Sequence, residues 1–134
     1  MPRPVKTPPL PKPLTEKKRT GNQAENLARQ HLTKAGLNFC VANFQCKTGE
    51  IDLVMKDDST LVFVEVRYRA DTELGSPLET VTSSKQRKLI RTASFFLQQH
   101  FGDRWPSCRF DVVGISGPLD GAPTIDWVKA AFYG

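Results

Sequence analysis

Cysteine, histidine and long apolar runs are all scarce in this sequence. The three cysteines (Cys40, Cys46, Cys108) and two histidines (His31, His100) form neither a CxxC pair nor a zinc-ligand spacing, which removes a structural zinc site and a disulfide framework from consideration. The cysteines are expected to be small buried side chains of a protein in a reducing compartment. No apolar run approaches the roughly 20 residues that a membrane-spanning helix needs, and the N-terminus carries no apolar segment of the signal-peptide kind. A soluble, cytoplasmic protein without a membrane partner is the expectation. A glycine-rich phosphate loop, a Ser/His/Asp set and a Cys/His set are also missing, so P-loop chemistry and nucleophilic acyl transfer have no visible machinery here.

What is present begins with charge. The formal net charge is +5 over 134 residues, enough chain for one domain with a single core. Residues 1–21 hold Arg3, Lys6, Lys12, Lys17, Lys18 and Arg19 against Glu16, so the whole excess lies there, and six of the ten prolines fall at positions 2–13. Such a segment has too little apolar surface to fold. Residues 1–20 are therefore expected to be a disordered, Pro-rich basic arm, either an electrostatic contact for phosphate backbones or a solubilising extension. Residues 21–134 form the expected domain.

Apolar spacing predicts a helix over residues 21–36 (Ala24, Leu27, Ala28, Leu32, Ala35) with Gly36 as its stop. Strands are predicted at 38–45, 50–56, 61–67 and 108–115, with a shorter one at 124–128. A second helix is predicted at 84–100, capped by Ser83, after a loop over 68–82. The order is that of an α/β fold, a mixed sheet flanked by helices.

The hairpin 50–67 carries the chemistry. With Asp57 to Thr60 as a four-residue turn, Lys56 faces Leu61, Val54 faces Phe63, Asp52 faces Glu65 and Glu50 faces Arg67. The alternate face then reads Ile51, Leu53, Met55, Val62, Val64 and Val66, all apolar, which supports this register because a one-residue slip scrambles the faces. Directly opposed residues place their Cβ atoms about 5 Å apart. Two carboxylates so placed repel one another, and Glu65 also interrupts a run that otherwise reads as buried strand. A hard divalent cation such as Mg²⁺ or Mn²⁺ offsets both costs. The competing account is an ion-pair network in which Arg67 binds Glu50 and Arg69 or a lysine neutralises the rest.

Other residues point at the same region. Glu25 lies at the edge of the first helix's apolar stripe, able either to add a third carboxylate or to pair with Arg29. On the second helix Lys85 and Gln86 face the sheet from the first turn, a geometry suited to a phosphate. Arg87, Lys88 and Arg91 face outward, as a nucleic-acid track or as a solvated face. Asp111 is expected to make a structural pairing. Trp127 and Phe132 are read as packing residues.

The segment GEIDLVMKDDSTLVFVEVRYR, with AEN at 24–26, Lys85, RFDVV at 109–113 and Ala131–Phe132, resembles the YraN family of small bacterial proteins over roughly residues 21–132. That family is similar to the PD-(D/E)xK nucleases, including archaeal Holliday-junction resolvases. The resemblance implies a restriction-endonuclease-like αβββαβ core and Mg²⁺ or Mn²⁺ held by Asp52, Glu65 and the helix acid Glu25. It further implies a metal-dependent endonuclease acting on nucleic acid, DNA ahead of RNA, with a homodimer as the resolvase-like form. Catalytic roles would fall to Asp52, Glu65, Arg67 and Lys85, and nucleic-acid contacts to Arg69, Lys85, Gln86, Arg87, Lys88 and Arg91. This sequence departs from the motif at Ile51, in place of proline, and at Arg67, in place of lysine. Arginine stays protonated and cannot serve as a base, but it can clamp a phosphate, with Lys85 supplying an ammonium from the helix. A catalytically degenerate nucleic-acid-binding module and a protein-interaction domain are the alternatives.

Overall fold

The computed structural model describes residues 16–70 and 77–133. The arm expected over residues 1–20 falls outside the described residues as far as residue 15. Helix α1 runs Glu16–Lys34, starting five residues ahead of its predicted position. It buries Ala24, Ala28 and Leu32, one face at four-residue spacing. Gly36, at φ 105°, turns the chain so that Leu37 N–H donates to Leu32 O at 3.1 Å and closes the helix.

Five strands follow the expected order: β1 (Asn38–Cys46), β2 (Gly49–Asp57), β3 (Thr60–Arg69), then helix α2 (Ser83–Phe101), β4 (Cys108–Ser116) and β5 (Thr124–Phe132). They form one mixed sheet in the order β1-β2-β3-β4-β5. Only β3 and β4 are parallel, and a parallel pair needs a crossover, which α2 provides. The fold is α/β and consistent with the restriction-endonuclease-like αβββαβ core, with β5 added at the edge. Each sheet face has its own helix. The α1 side buries Leu53, Met55, Val62, Val64, Val113 and Ile115. The α2 side buries Ile51, Val54, Phe63, Phe96, Phe110 and Val112. Covered on both faces, β3 is buried without alternation from Leu61 to Glu65. Phe63 packs between Phe96 and Phe110 at centroid distances of 5.8 and 5.4 Å, pairs that each add about 0.5–1.5 kcal/mol beyond area burial.

The predicted hairpin register holds from Asp57↔Thr60 through Leu53↔Val64. Its turn is tighter than the four residues expected, because Asp57 and Thr60 are themselves paired. Asp58, at φ 53°, adopts the left-handed conformation that short polar side chains tolerate. The predicted partition of faces fails at Ile51, which packs with Val54 and Phe63 and not with Leu53 and Met55. The alternation of β2 breaks at Asp52. Asn43, the β1 residue between the pairs Ala42↔Leu53 and Phe44↔Ile51, is left-handed there at φ 54°.

Smaller corrections have equally local causes. The cap of α2 is Thr82 and not Ser83, since Thr82 Oγ1 accepts from Lys85 N–H at 3.1 Å. The loop predicted over 68–82 begins later, because β3 continues to Arg69 beside β4, and it contains a 3-10 turn at Pro77–Thr80. The cysteines are not buried: Cys40 and Cys108 are exposed, Cys46 is partly so, and all three are free thiols. Asp111 makes the structural pairing expected of it. Its buried carboxylate accepts from Arg109 Nε at 3.1 Å, Trp127 Nε1 at 2.9 Å and Ala130 N–H at 2.9 Å. Arg109 also reaches Asp57 at 2.8 Å, tying β4 to the hairpin turn.

Gly114 is where the connection after β3 meets the sheet. A Cβ there would lie 2.1 Å from Pro77 Cγ, so the 3-10 turn rests directly on β4 beside Arg67. Gly114→Ala is expected to lower stability by about 1–3 kcal/mol, the usual cost of overpacking. The shift is to be read from the midpoint of denaturant unfolding, with an unshifted midpoint contradicting the close approach.

Candidate metal centre

The β2–β3 ladder stops one step short of the Asp52–Glu65 pair. Beyond it, the Asp52 carboxylate enters the gap, and its Oδ2 accepts the Val66 N–H at 2.8 Å. A side chain thus stands where a main-chain acceptor would otherwise be, and the sheet opens at this end. Three carboxylates converge there: Glu25 from α1, and Glu50 and Asp52 from β2. One oxygen of each lies within 4.8 Å of the others. With its amide turned so that the nitrogen faces the acids, Asn43 knits two of them together, donating to Glu25 Oε2 at 3.1 Å and Glu50 Oε1 at 2.9 Å.

The electrostatics match this crowding. Burial, then the neighbouring Asp52 charge, pushes the Glu25 carboxyl up to about 7. Asp52 is raised chiefly by burial, with Glu50 adding to the effect, against the lowering influence of the Val66 N–H and Lys85. The nearness of Glu25 and Asp52 favours the protonated form of Glu25.

Glu65 stands beside this cluster, not within it. It is 5% exposed, and its Oε1 lies 3.5 Å from Arg67 Nη1 and 3.8 Å from Lys85 Nζ. Burial and Asp52 nonetheless push its carboxyl up to about 7, outweighing both cations. Lys85 reaches the sheet from the first turn of α2, as its helical position predicted. Arg67 pairs with Glu65 rather than with Glu50. The rest of its guanidinium is taken by Thr80, through Nε to Oγ1 at 3.0 Å and Nη2 to the carbonyl at 2.7 Å.

Of the other residues singled out from sequence, Gln86 turns back on its own helix start, donating to Val81 O at 3.1 Å. Arg87, Lys88 and Arg91 are exposed along α2, and Arg69 is half-buried at the end of β3. The proposed Glu25–Arg29 pair does not form. Arg29 lies over the Phe39 ring at 3.5 Å, and Glu25 turns to the acids. Sequence reasoning missed Asn43 and Thr80 and gave Glu50 no ligand role. An asparagine within a predicted strand was the one available signal, since asparagine tolerates left-handed backbone.

This donor set fits a hard cation. It is all oxygen, it is rich in carboxylates, and it comes from two elements held by the core. Ligand oxygens about 2.1 Å from Mg²⁺ stand at most about 4.2 Å apart in an octahedron, so the observed 4.8 Å needs only a small contraction. Among the described residues, no helix is long and apolar enough to cross a membrane.

The raised carboxyls have a sign for stability. A Glu65 carboxyl at about 7 when folded and near 4.5 when unfolded favours folding fully below pH 4.5, and that contribution is lost as pH rises toward 7. Glu65→Gln removes this dependence. Without metal, the stability of the variant relative to wild type is expected to rise steadily between pH 4.5 and 7, as read from melting temperatures. A difference that is flat or falling over that window would contradict burial and Asp52 outweighing the two cations at Glu65.

Comparison with known proteins agrees with the shared core. Residues 24–115 match the model described as "Uncharacterised protein family UPF0102". The chain is 48% identical over 121 residues to a UPF0102 protein of Stutzerimonas stutzeri (strain A1501), covering 89% of this chain and 98% of that one. A UPF0102 protein of Coxiella burnetii (strain RSA 493) is 48% identical over 118 residues, covering 88% and 93% of the two chains. One from Pseudomonas savastanoi pv. phaseolicola is 44% identical over 122 residues, covering 90% and 98%. With a matched segment that holds both helices and the first four strands in large part, and relatives aligned over nearly their whole length, the chain belongs to the UPF0102 (YraN) family.

Proposed function

We propose that this protein is a metal-dependent endonuclease that hydrolyses phosphodiester bonds in nucleic acid. The observation that carries the proposal is the convergence of Glu25, Glu50 and Asp52 at the opened end of the sheet, beside the buried Glu65 and its half-exposed partner Lys85. An acidic cluster alone repels a phosphate. One that shares its rim with an ammonium suits a cation together with the anion the cation recruits.

Glu25, Glu50 and Asp52 would hold Mg²⁺ or Mn²⁺, and Glu65 lies close enough to Asp52 to complete the acidic face. When bound, the metal supplies a water of lowered pKa and polarises the phosphoryl oxygen. The Val66 N–H fixes the orientation of Asp52. Glu65 sets its carboxylate 3.5 Å from Arg67 Nη1 and 3.8 Å from Lys85 Nζ on the wall of the site. It also steadies the Lys85 ammonium, which is 40% exposed at its side chain and has donors left for a phosphate oxygen. Arg67 takes the position of the motif lysine. Its hydrogen bonds to Thr80 make it a brace for the site wall, with its charge directed at Glu65. Arg87, Lys88 and Arg91 offer an exposed basic track along α2 for a phosphate backbone, with Gln86 in the first turn of that helix and Arg69, at the end of β3, as further contacts. DNA stands ahead of RNA, and a homodimer is the natural assembly, through the likeness to junction-resolving nucleases. A cytoplasmic setting belongs to the same proposal, since free thiols such as Cys40 and Cys108 persist in reducing compartments.

A non-catalytic nucleic-acid-binding module is the second reading, favoured by the one observation that an arginine committed to Thr80 replaces the motif lysine. The two separate in a cleavage assay with labelled duplex, junction, flap and single-stranded DNA and RNA in Mg²⁺ or Mn²⁺. Metal-dependent cleavage is expected. Asp52→Asn should slow it by at least about 100-fold, since loss of outer-shell support alone costs 10–100-fold. Salt-sensitive binding without cleavage, unchanged in Asp52→Asn, would establish the binding module instead.

A further inference from the structure

A second surface adjoins the acidic centre on the side away from α2. Along the outer flank of α1 and the start of β1 runs a groove of about 530 Å³, within the range of small-ligand clefts. Arg29 and Phe39 form its floor, the guanidinium lying 3.5 Å over the ring. Asn26, Gln30 and Asn38 supply amides along it, and Lys34 stands at its far end. At its near end the groove is continuous with the acids. Asn26 and Arg29 also line a neighbouring hollow of about 250 Å³, together with Glu25 and Asn43. β1 is the edge strand of the sheet, so among the described residues no further strand covers this flank.

Arg29 is the informative residue. It is exposed, it makes no ion pair among the described residues, and its one specific contact is the aromatic ring beneath it. With its centre 3.5 Å over the Phe39 ring and the residue exposed, the Arg29 guanidinium has a second face that is open to a planar partner. Nucleobases stack on such a face, and cationic and amide groups beside it suit the accompanying phosphate and base edges. A double helix keeps its base faces inside the stack and cannot use the platform.

We infer that this groove binds a single strand of nucleic acid, with one base stacked on Arg29, its backbone running past Lys34, and the strand leading to the acidic centre. The inference rests on the nucleic-acid reading above and adds the form of the substrate. Among the described residues Arg29 and Lys34 are the only cations lining the groove, so the charge contribution there is small and the stacking contribution is large.

The test is fluorescence anisotropy with a labelled oligothymidylate in EDTA, where cleavage does not intervene. Arg29→Ala is expected to weaken binding about tenfold or more, the loss that removal of one stacked platform brings. Arg29→Lys keeps the charge but not the plane and should lose most of the same affinity. Lys34→Ala should leave the stacking intact and lower the salt slope by about 0.7, one phosphate's worth for a single strand. A duplex of equal length should be insensitive to Arg29→Ala. Unchanged oligothymidylate affinity in Arg29→Ala, full rescue by Arg29→Lys, or equal sensitivity of the duplex would each overturn the inference. Circular dichroism of the variants establishes that they fold. Metal-dependent cleavage with unchanged oligothymidylate affinity in Arg29→Ala would defeat the groove and leave the hydrolase standing. Loss of affinity in Arg29→Ala without cleavage in any metal would do the reverse.

Discussion

The architecture of this site depends on one hydrogen bond, from the Val66 amide to the Asp52 carboxylate. While β2 and β3 pair through their main chains, their side chains are confined to two helix-covered faces. Once Asp52 takes over as acceptor, the strands part and a carboxylate stands in the plane of the sheet. The same place sees the alternation of β2 break and Asn43 turn left-handed. Each is a local irregularity with a cost, and together they bring acids from α1 and β2 to one point. Consistent core packing with a concentrated breach of local rules is what a functional site looks like in an otherwise regular domain.

That concentration of like charge has to be offset. Two ionised carboxylates at 4.8 Å, the outer limit of this cluster, repel by about 1 kcal/mol in bulk water and about 3 kcal/mol at an effective dielectric constant of about 20. Lys85 and Arg67 are both drawn to Glu65 and do not lie among Glu25, Glu50 and Asp52. Without metal the protein resolves the conflict by protonation, with Glu25 and Glu65 both pushed up to about 7. A divalent cation resolves it another way, by letting all the carboxyls ionise around a positive charge. The metal-free state is therefore the frustrated one.

Much of the fold was legible because it is written in short-range pattern. The hairpin register followed from six apolar residues between Ile51 and Val66, and the inward reach of Lys85 followed from its place in the first turn of the second helix. Glu65 could be nominated because it interrupts an apolar run, Asp52 because the register sets it opposite Glu65, and Glu25 because it lies at the edge of the first helix's apolar stripe. What stayed hidden depends on contacts between distant segments. Glu50 was expected to face Arg67, yet it joins the acids because β2 leaves β3 before reaching that pair. Thr80 binds Arg67 only because Pro77 sits on Gly114 of β4, a meeting that no periodicity encodes. The cysteines were misjudged because typical burial of a residue type says little about a bulge such as that between Phe39 and Val41, where Cys40 is left outside the ladder.

The central claim is that Glu25, Glu50 and Asp52 are one cation site, and isothermal titration calorimetry with Mn²⁺ and Mg²⁺ addresses it most directly. Wild type is expected to bind with saturation at one principal site and to release protons on binding near neutral pH, as judged by heats measured in two buffers of different ionisation enthalpy. Asp52→Asn should abolish that binding while the protein remains folded. Absence of saturable binding in wild type, with or without an oligonucleotide present to complete the coordination shell, would contradict the account, as would binding that survives in Asp52→Asn.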